Sequence, residues 1–439
     1  MSCCSMYIAQ RSQPTVTSHY HIHIERLPAD EVNSTVLSSI TSAKIKLKMI
    51  CSVYTFLMSI ISVGAYSSSS SSMNNLRSIP HTAPLIIGYA SDAKSGKVDQ
   101  AIIDGANIII WSFIHLHISD ENNGATSIET SLDLNEIKRI RNKYDHVVHM
   151  AAFGGWNGPH PPTFSDGTSL SGVEWCEVFM KFNEMNDFIF DGIDWDYEGN
   201  DNLNAPTSKF TLATLDIMAD FTVRAKSRGL IVSMAPAESY LDSTVDPGST
   251  DATFSLRLDL SPRAWTSPED REIIGGFSYA GRQCYAYVLA RAGVESFDFI
   301  SIQLYEGYSP YVYEVSRKKM DPVEAILERV NGFIRGFTVN GMPMSTSDYQ
   351  VKIPPSKLVI GVANGWADGV KFCKVDPKTL RDAYAITKNK YGEGFRGVMF
   401  WTINDEGDDA KSRLAHELKE ELQDLPQPPL KDCDTSISL

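Results

Sequence analysis

The chain has 439 residues, of which 43% are hydrophobic, so it can bury the core of one large α/β domain or of two ordinary domains. Its formal net charge of -14 disfavours nucleic acids and anionic membrane surfaces as partners, because both attract clustered lysine and arginine. The cysteines beyond residue 66, at positions 176, 284, 373 and 433, are too widely spaced for a paired Cys-x-x-Cys metal site. Both disulfides and buried free thiols remain open for them.

Residues 1–66 are predicted to be a leader that contains a secretory signal. Three lysines between positions 44 and 48 precede an apolar stretch over residues 49–65, and a serine run follows it. This order of segments is typical of a signal peptide, which predicts a secreted protein. The stretch is short for a membrane span, which needs ~20 apolar residues. The alternative is an uncleaved signal anchor, which would insert the protein in a membrane only if the leader is retained. Residues 67–83 are predicted to form a serine-rich linker.

Residues 84–423 alternate between short apolar runs and longer helical patterns, which is typical of repeated strand-helix units around a parallel sheet. Several runs are apolar almost throughout, as strands covered on both faces should be. Eight such units predict an α/β fold, a closed (β/α)8 TIM barrel with a single catalytic domain, while a doubly wound open sheet is the alternative. The strand candidates are residues 85–90, 107–113, 146–153, 188–194, 230–236, 297–304, 358–363 and 395–402.

Helices are predicted between these strands, and the longest loop is predicted to border a cleft. The helical patterns begin near residues 134, 173, 210, 322, 377 and 410. The polar loop over residues 240–280 is long for a compact domain, so we expect it to wall one side of the site, with Trp265 as a lining residue. Residues 424–439 are predicted to be a proline-rich tail.

The fourth predicted strand carries the most informative pattern in the chain. Asp194, Asp196 and Glu198 occupy alternate positions, so their side chains project from one face at a spacing of roughly 6.6 Å. Neighbouring buried carboxyls interact, which predicts coupled titration and at least one raised pKa, as at a catalytic site. A calcium-binding loop is a weaker interpretation, because its twelfth position is Ala205 instead of glutamate. Asp191 has the opposite strand parity and is predicted to be structural.

Aromatic and polar residues fall at the carboxyl ends of the other predicted strands. Sites in such barrels gather at these ends, and aromatic rings around an acid favour a sugar site, because rings stack on pyranose faces. Gly154 and Gly155, after the third strand, are predicted to support the site structurally. The candidates for substrate binding are Tyr89, Phe113, Trp156, Met234, Gln303, Trp366 and Trp401.

The chain resembles glycoside hydrolase family 18, the chitinase-type barrels. The segment Asp191-Gly192-Ile193-Asp194-Trp195-Asp196-Tyr197-Glu198 carries every acidic position of that family's Asp-x-x-Asp-x-Asp-x-Glu signature. Weaker support comes from Phe153-Gly154-Gly155, Met234-Ala235-Pro236-Ala237, Gln303-x-Tyr305 and Trp401. The resemblance implies a monomeric, endo-acting chitinase that acts on chitin or N-acetylglucosamine oligosaccharides and needs no metal or cofactor.

The resemblance also implies a retaining mechanism in which the substrate supplies its own nucleophile. Glu198 would be the general acid and later the base, and Asp196 would hold the N–H of the substrate's acetamido group to form an oxazolinium intermediate. Asp194 would share a proton with Asp196. Tyr305, the fourth catalytic candidate, would donate to the acetamido carbonyl, and Trp401 would form the apolar floor beneath the reacting sugar.

Three departures qualify this resemblance. Ala152 stands where the family usually has serine, which predicts altered pKa coupling between the buried aspartates. Glu306 stands where asparagine or aspartate is commoner. The short passage from Ala363 to Pro377 leaves no room for the small α+β insertion of many members, which predicts a shallower cleft and endo-type cutting.

Two other functions remain open at this point. An endo-β-N-acetylglucosaminidase that cuts the core of N-glycans would cleave the same linkage beside the same acetamido group. A catalytically weak chitin-binding lectin would typically have lost the acid, whereas Glu198 is present.

Overall fold

The computed structural model describes residues 76–80, 84–119, 124–202, 204–244, 251–256, 267, 269, 282–306, 309–344, 348–367 and 372–423. The predicted leader with its signal over residues 49–65, most of the serine-rich linker, Trp265 and the tail over residues 424–439 lie outside the described residues. Within the described part, no helix has the length and apolar character needed to cross a membrane.

The strands of the described part are numbered in chain order: β1 (Leu85–Ala90), β2 (Ile108–Ser119), β3 (Ala125–Thr130), β4 (Val148–Gly155), β5 (Gly192–Tyr197), β6 (Ile231–Met234), β7 (Asp251–Thr253), β8 (Phe299–Gln303), β9 (Phe337–Asn340), β10 (Asp348–Val351), β11 (Leu358–Ala363) and β12 (Gly397–Trp401). The helices are α1 (Lys97–Ile103), α2 (Leu134–Lys143), α3 (Gly172–Met185), α4 (Leu212–Ser227), α5 (Cys284–Ala292), α6 (Pro310–Ser316), α7 (Pro322–Arg335), α8 (Pro377–Tyr391) and α9 (Leu414–Leu418).

Eight of these strands form a closed parallel barrel. They pair in the order β1-β12-β11-β8-β6-β5-β4-β2, and β1 pairs with β2 to close the ring. The closing register sets Ile87 beside Ile108, and every neighbouring pair around the ring is parallel. The predicted (β/α)8 TIM barrel is confirmed, and the doubly wound open sheet is excluded because an open sheet has two unpaired edges.

The barrel strands are buried on both faces, which explains why their sequences are apolar almost throughout. Side chains of one parity fill the barrel interior, and those of the other parity pack between the barrel and the helices. The inner group is Leu85, Ile87, Tyr89, Ile108, Ile110, Val148, Met150, Ala152, Ile231, Ala235, Phe299, Val359 and Met399. The outer group contains Trp111, Trp175 and Trp195, all fully buried.

Several elements were not foreseen from the sequence. β3 pairs antiparallel with β2, and β7, β9 and β10 form a separate three-stranded sheet. Helices α1, α5 and α6 were also missed. The helix predicted from residue 410 is broken into a 3-10 turn (Ala410–Ser412), α9 and a π-helical turn (Lys419–Gln423).

The end of the predicted linker belongs to the barrel base. The backbone N–H of Arg77 donates to Asp191 Oδ1 at 2.8 Å, and its guanidinium donates to the Arg141 carbonyl in the last turn of α2 at 2.7 Å. Leu76 packs against the outer core and Ile79 against the inner core. Residues 76–80 are therefore part of the folded domain, which corrects the predicted extent of the linker. Cys176 and Cys284 are buried free thiols.

Candidate active site

The predicted acids line up on the inner face of β5 and at its end. Asp194 is 0% exposed, Asp196 5% and Glu198 9%, so exposure rises from the barrel interior towards its mouth. β5 ends at Tyr197, which places Glu198 on the rim formed by the carboxyl ends of the parallel strands. The outermost carboxyl is thus the one that a substrate in the mouth can reach.

Asp194 is held between two neighbouring strands. The strand registers set it beside Ala152 of β4 on one side and Ser233 of β6 on the other. The Ser233 hydroxyl donates to Asp194 Oδ1, and the Tyr89 hydroxyl donates to Oδ2. Burial raises the pKa of Asp194 to about 6, although both hydroxyls oppose the shift. Position 152 supplies no hydroxyl, but the opposite neighbour does.

Asp196 faces Gln303 in this structure. The Gln303 amide donates to Asp196 Oδ1 at 2.8 Å and to the Ala235 carbonyl at 2.6 Å. The oxygens of Asp194 accept from Tyr89 and Ser233, and the sharing of a proton between Asp194 and Asp196 stays a prediction. Burial raises the pKa of Asp196 well above its usual range, and the charges of Glu198 and Asp194 raise it further.

Glu198, the outermost acid, also has a raised pKa. Burial raises the pKa of Glu198 to about 7, and the Gln303 amide opposes the shift. Tyr305 is 8% exposed, and burial raises the pKa of its hydroxyl well above the usual range. The charges of Glu306, Glu198 and Asp196 raise this pKa further. The structure therefore brings Tyr305 and Gln303 together with Asp196 and Glu198.

Two further carboxyls are buried, Glu306 close to Glu198 and Glu238 close to Glu306. Glu306 is 4% exposed, and burial followed by the Glu198 charge raises its pKa well above the usual range. Glu238, after β6, forms a buried ion pair with Arg329 of α7 at 2.6 Å, and Arg329 also pairs with Glu314 at 2.6 Å. Burial raises the pKa of Glu238 to about 7. Neither residue was predicted to belong to the site. Position 306 was noted only as a departure from the family pattern, and nothing in the sequence around Glu238 indicates an ion pair with a residue of α7.

Aromatic side chains from three strands, and from the loops that follow β8 and β11, meet at the mouth. Trp401 lies 5.5 Å from Tyr89 and is stacked on Phe113 with ring centroids 5.7 Å apart. The Trp366 indole donates to the Trp401 carbonyl at 2.5 Å and packs edge-on against Tyr305 at 6.1 Å. Phe113, Trp366 and Trp401 are half-buried, whereas Tyr89 and Tyr305 are buried. The half-buried rings suit the apolar face of a sugar ring. Trp156 is half-buried and directly follows β4.

Met234 does not lie in the mouth, which corrects its prediction as a substrate-binding residue. It is 0% exposed, and its pairing partner Trp195 belongs with it to the outer core between barrel and helices. In a strand, neighbouring side chains point to opposite faces, so Met234 points outwards where Ser233 points inwards.

The remaining predicted positions have structural contacts. A Cβ on Gly154 would lie 2.5 Å from the Asp196 carbonyl oxygen, and one on Gly155 would lie 2.4 Å from the Phe113 ring. Asp191 lies at the opposite, amino end of β5, where it pairs with Arg141 at 2.6 Å. Among the described residues, no group of histidine, cysteine, aspartate and glutamate side chains is arranged to hold a metal ion.

Comparisons with known proteins point to one family. The chain matches the family model described as Glycosyl hydrolases family 18 over residues 85–371. It is similar to the C-terminal domain of ChiA from Legionella pneumophila, with 16% identity, a TM-score of 0.48, and coverage of 76% of this chain and 97% of that one. It is also similar to a family 18 chitinase from Crocus vernus (15% identity, TM-score 0.41, coverage 77% and 98%). A chitinase from Rhizomucor miehei shares 14% identity (TM-score 0.42, coverage 76% and 99%). The comparison with curated proteins gave no match.

Proposed function

Because the chain belongs to glycosyl hydrolases family 18, we propose that it is a chitinase that cleaves β-1,4 linkages between N-acetylglucosamine residues by a retaining, substrate-assisted mechanism. The observation that supports this most directly is the row of buried carboxyls formed by Asp194, Asp196 and Glu198, in which the pKa of Glu198 is raised to about 7. An acid with that pKa is protonated over the acidic to neutral range and can give up its proton during the reaction.

The proposed chemistry uses the acids in two steps. The Glu198 carboxyl protonates the glycosidic oxygen while the acetamido carbonyl oxygen of the substrate attacks the anomeric carbon, so the sugar-oxygen bond breaks as the oxazolinium ring forms. The Asp196 carboxylate accepts the acetamido N–H and stabilises the positive charge, as a fixed group of opposite charge should. The Glu198 carboxylate then removes a proton from water, which attacks the same carbon. The bond from that carbon to the oxazolinium oxygen breaks, which regenerates the acetamido group and restores the β configuration.

Tyr305 and Trp401 are proposed to orient the reacting sugar. The Tyr305 hydroxyl would donate to the acetamido carbonyl oxygen, and the half-buried Trp401 ring would lie under the apolar face of the sugar. The half-buried rings of Phe113, Trp156 and Trp366 would bind the sugars around it. Holding the acetamido group and the sugar ring in this way lowers the entropy cost of reaching the transition state. Tyr89 and Gln303, which were predicted to bind substrate, are each 1% exposed and instead hold the buried aspartates.

We further propose endo-type cutting by a secreted monomer. The passage from β11 to α8 is short and adds no domain beside the mouth in the part that the structure describes, which supports a shallow cleft open at both ends. Secretion rests on the signal-like stretch over residues 49–65. Mass spectrometry of the mature amino terminus tests it, because an uncleaved leader would indicate a membrane-anchored form.

Hydrolysis of three substrates tests the activity. The wild-type protein should cut colloidal chitin and the hexamer of N-acetylglucosamine, giving mixed internal products from the hexamer, and should leave a high-mannose glycopeptide intact. Glu198→Gln should lower kcat by ~10³-fold or more while hexamer binding survives. Glu129→Gln changes an exposed glutamate on β3 and serves as the matched control.

Three outcomes would reject the proposal in different ways. Cleavage of the glycopeptide with none of chitin would assign the enzyme to N-glycans instead. Hexamer binding without cleavage by the wild type would indicate a lectin. If Asp196→Asn cuts N-acetylated and deacetylated oligomers at unchanged relative rates, the substrate's acetamido group does not take part.

A further inference from the structure

The backbone that carries Glu198 extends beyond the barrel ladder. On the β6 side the pairing ends at Trp195, opposite Met234, and on the β4 side it ends at Tyr197, opposite Gly155. Glu198 follows both ends, so no strand neighbour fixes its main chain. A general acid nevertheless has to be held to within about 0.5 Å of its working position.

Side chains and a loop outside β5 take over where the strand pairing stops. The carbonyls of Tyr197, Glu198 and Gly199 accept hydrogen bonds from the Tyr285 hydroxyl at 2.9 Å, from His160 Nε2 at 2.8 Å and from the Asn157 backbone N–H at 3.1 Å, respectively. The carbonyl of Glu198 and those of the residues before and after it are thus each bound by a group from elsewhere in the chain.

The loop after β4 supplies most of these contacts. Besides its backbone bond to Gly199, Asn157 donates from its side chain to Asp201 Oδ2 at 2.8 Å and accepts from the Asp201 backbone N–H at 2.8 Å. With the His160 bond, these contacts join the loop over residues 157–160 to residues 198–201. We call this set of hydrogen bonds the rim clamp.

His160 is a preorganised donor in the rim clamp. Its ring is stacked on Phe210 at 5.3 Å and meets Tyr197 edge-on at 5.4 Å, so it has little freedom to turn. Pro159 and Pro161 on either side restrict the backbone. Burial lowers the pKa of His160, which keeps the ring neutral at neutral pH. Because its partner is a carbonyl, the ring proton resides on Nε2.

We propose that His160 is a positioning residue that fixes the Glu198 carboxyl at the barrel rim through a hydrogen bond to the Glu198 carbonyl. The inference rests on the proposed role of Glu198 as the general acid. Loss of the bond leaves the acid in place but lets its backbone move. A displacement of about 1 Å can cost ~100-fold in rate, so we expect an effect on kcat much larger than any effect on KM.

Two substitutions separate the donor from the ring. His160→Phe keeps an aromatic ring against Phe210 and removes the N–H, whereas His160→Gln removes the ring and keeps an N–H donor of similar reach. On the hexamer of N-acetylglucosamine, His160→Phe should lower kcat by ~10-fold or more with KM within about twofold of wild type. His160→Gln should recover part of that loss. His146→Phe changes an exposed histidine and serves as the control.

Amide hydrogen exchange measured by mass spectrometry gives a readout that does not depend on activity. His160→Phe should speed exchange in peptides that cover residues 198–201, while peptides within β4 and the His146→Phe control stay unchanged. The inference is overturned if His160→Phe keeps kcat within twofold, if His160→Gln loses as much activity as His160→Phe, or if exchange at residues 198–201 is unaltered. If the wild type cuts no substrate, the proposed function fails, and the exchange result alone decides whether the rim clamp exists.

Discussion

Replacing Glu198 with glutamine should make the protein more stable at alkaline pH. The buried carboxyl has a pKa of about 7 in the folded protein, against an ordinary value of 4.5. A group with a raised pKa contributes its full stability below the ordinary value, and that contribution is lost as the pH rises through the folded value. Glutamine keeps nearly the same shape and never ionises, so it avoids the loss.

The size of the effect follows from that shift. A change from 4.5 to about 7 corresponds to about 3 kcal/mol of unfolding free energy once the carboxyl is ionised in both states. The Glu198 charge also raises the pKa values of Asp196 and Glu306, so its removal acts in the same direction at those groups. For a domain of this size, about 3 kcal/mol corresponds to a rise in Tm of roughly 4 °C.

Urea unfolding of both proteins between pH 4 and pH 8.5 measures the difference. At pH 4 the two free energies of unfolding should agree within about 1 kcal/mol. The advantage of Glu198→Gln should grow between the ordinary pKa of 4.5 and the folded value of about 7, and it should level off above pH 7. Glu129→Gln, on an exposed side chain, should show no such trend. A difference between Glu198→Gln and wild type that does not vary with pH would refute the raised pKa and the reasoning built on it.

Three further predictions concern activity on chitin oligomers. The kcat should fall as the pH rises through about 7, because Glu198 must be protonated to act, and a pH profile checks this. Ser233→Ala should raise the pKa of Asp194 and lower kcat. Adding Ala152→Ser should restore much of the lost activity, because both positions flank Asp194, and comparing kcat of the single and double variants tests this. Trp401→Ala should raise KM by ~10-fold, because a stacking contact of about 1.4 kcal/mol is lost, and initial rates over a range of hexamer concentrations measure this KM.

The barrel and the acids were predictable from the sequence for physical reasons. Strands buried on both faces have to be apolar throughout, so eight such runs between helical patterns indicate a closed parallel barrel. The parity of Asp194, Asp196 and Glu198 assigns them to one face without knowledge of any neighbour. Asp191 was set apart by the same parity, and the structure pairs it with Arg141 at the barrel base.

Features that depend on pairing were not predictable. In a strand buried on both faces, apolar residues occur on the face towards the barrel interior and on the face towards the helices. The outward orientation of Met234 therefore becomes apparent only from its register with Trp195. The Ser233 hydroxyl becomes relevant only because β6 sets it beside Asp194. β3 pairs on one edge and is half exposed, and β7 is very short, so neither has a strong pattern.

The central claim is that the acids of β5 catalyse a retaining, substrate-assisted cleavage. Proton NMR of the hexamer digest in its first minutes measures the configuration of the newly formed reducing end. We predict that the β anomer appears first and the α anomer only by later mutarotation, with no product from Glu198→Gln. Initial formation of the α anomer would contradict the mechanism, because it requires direct attack by water on the opposite face of the sugar.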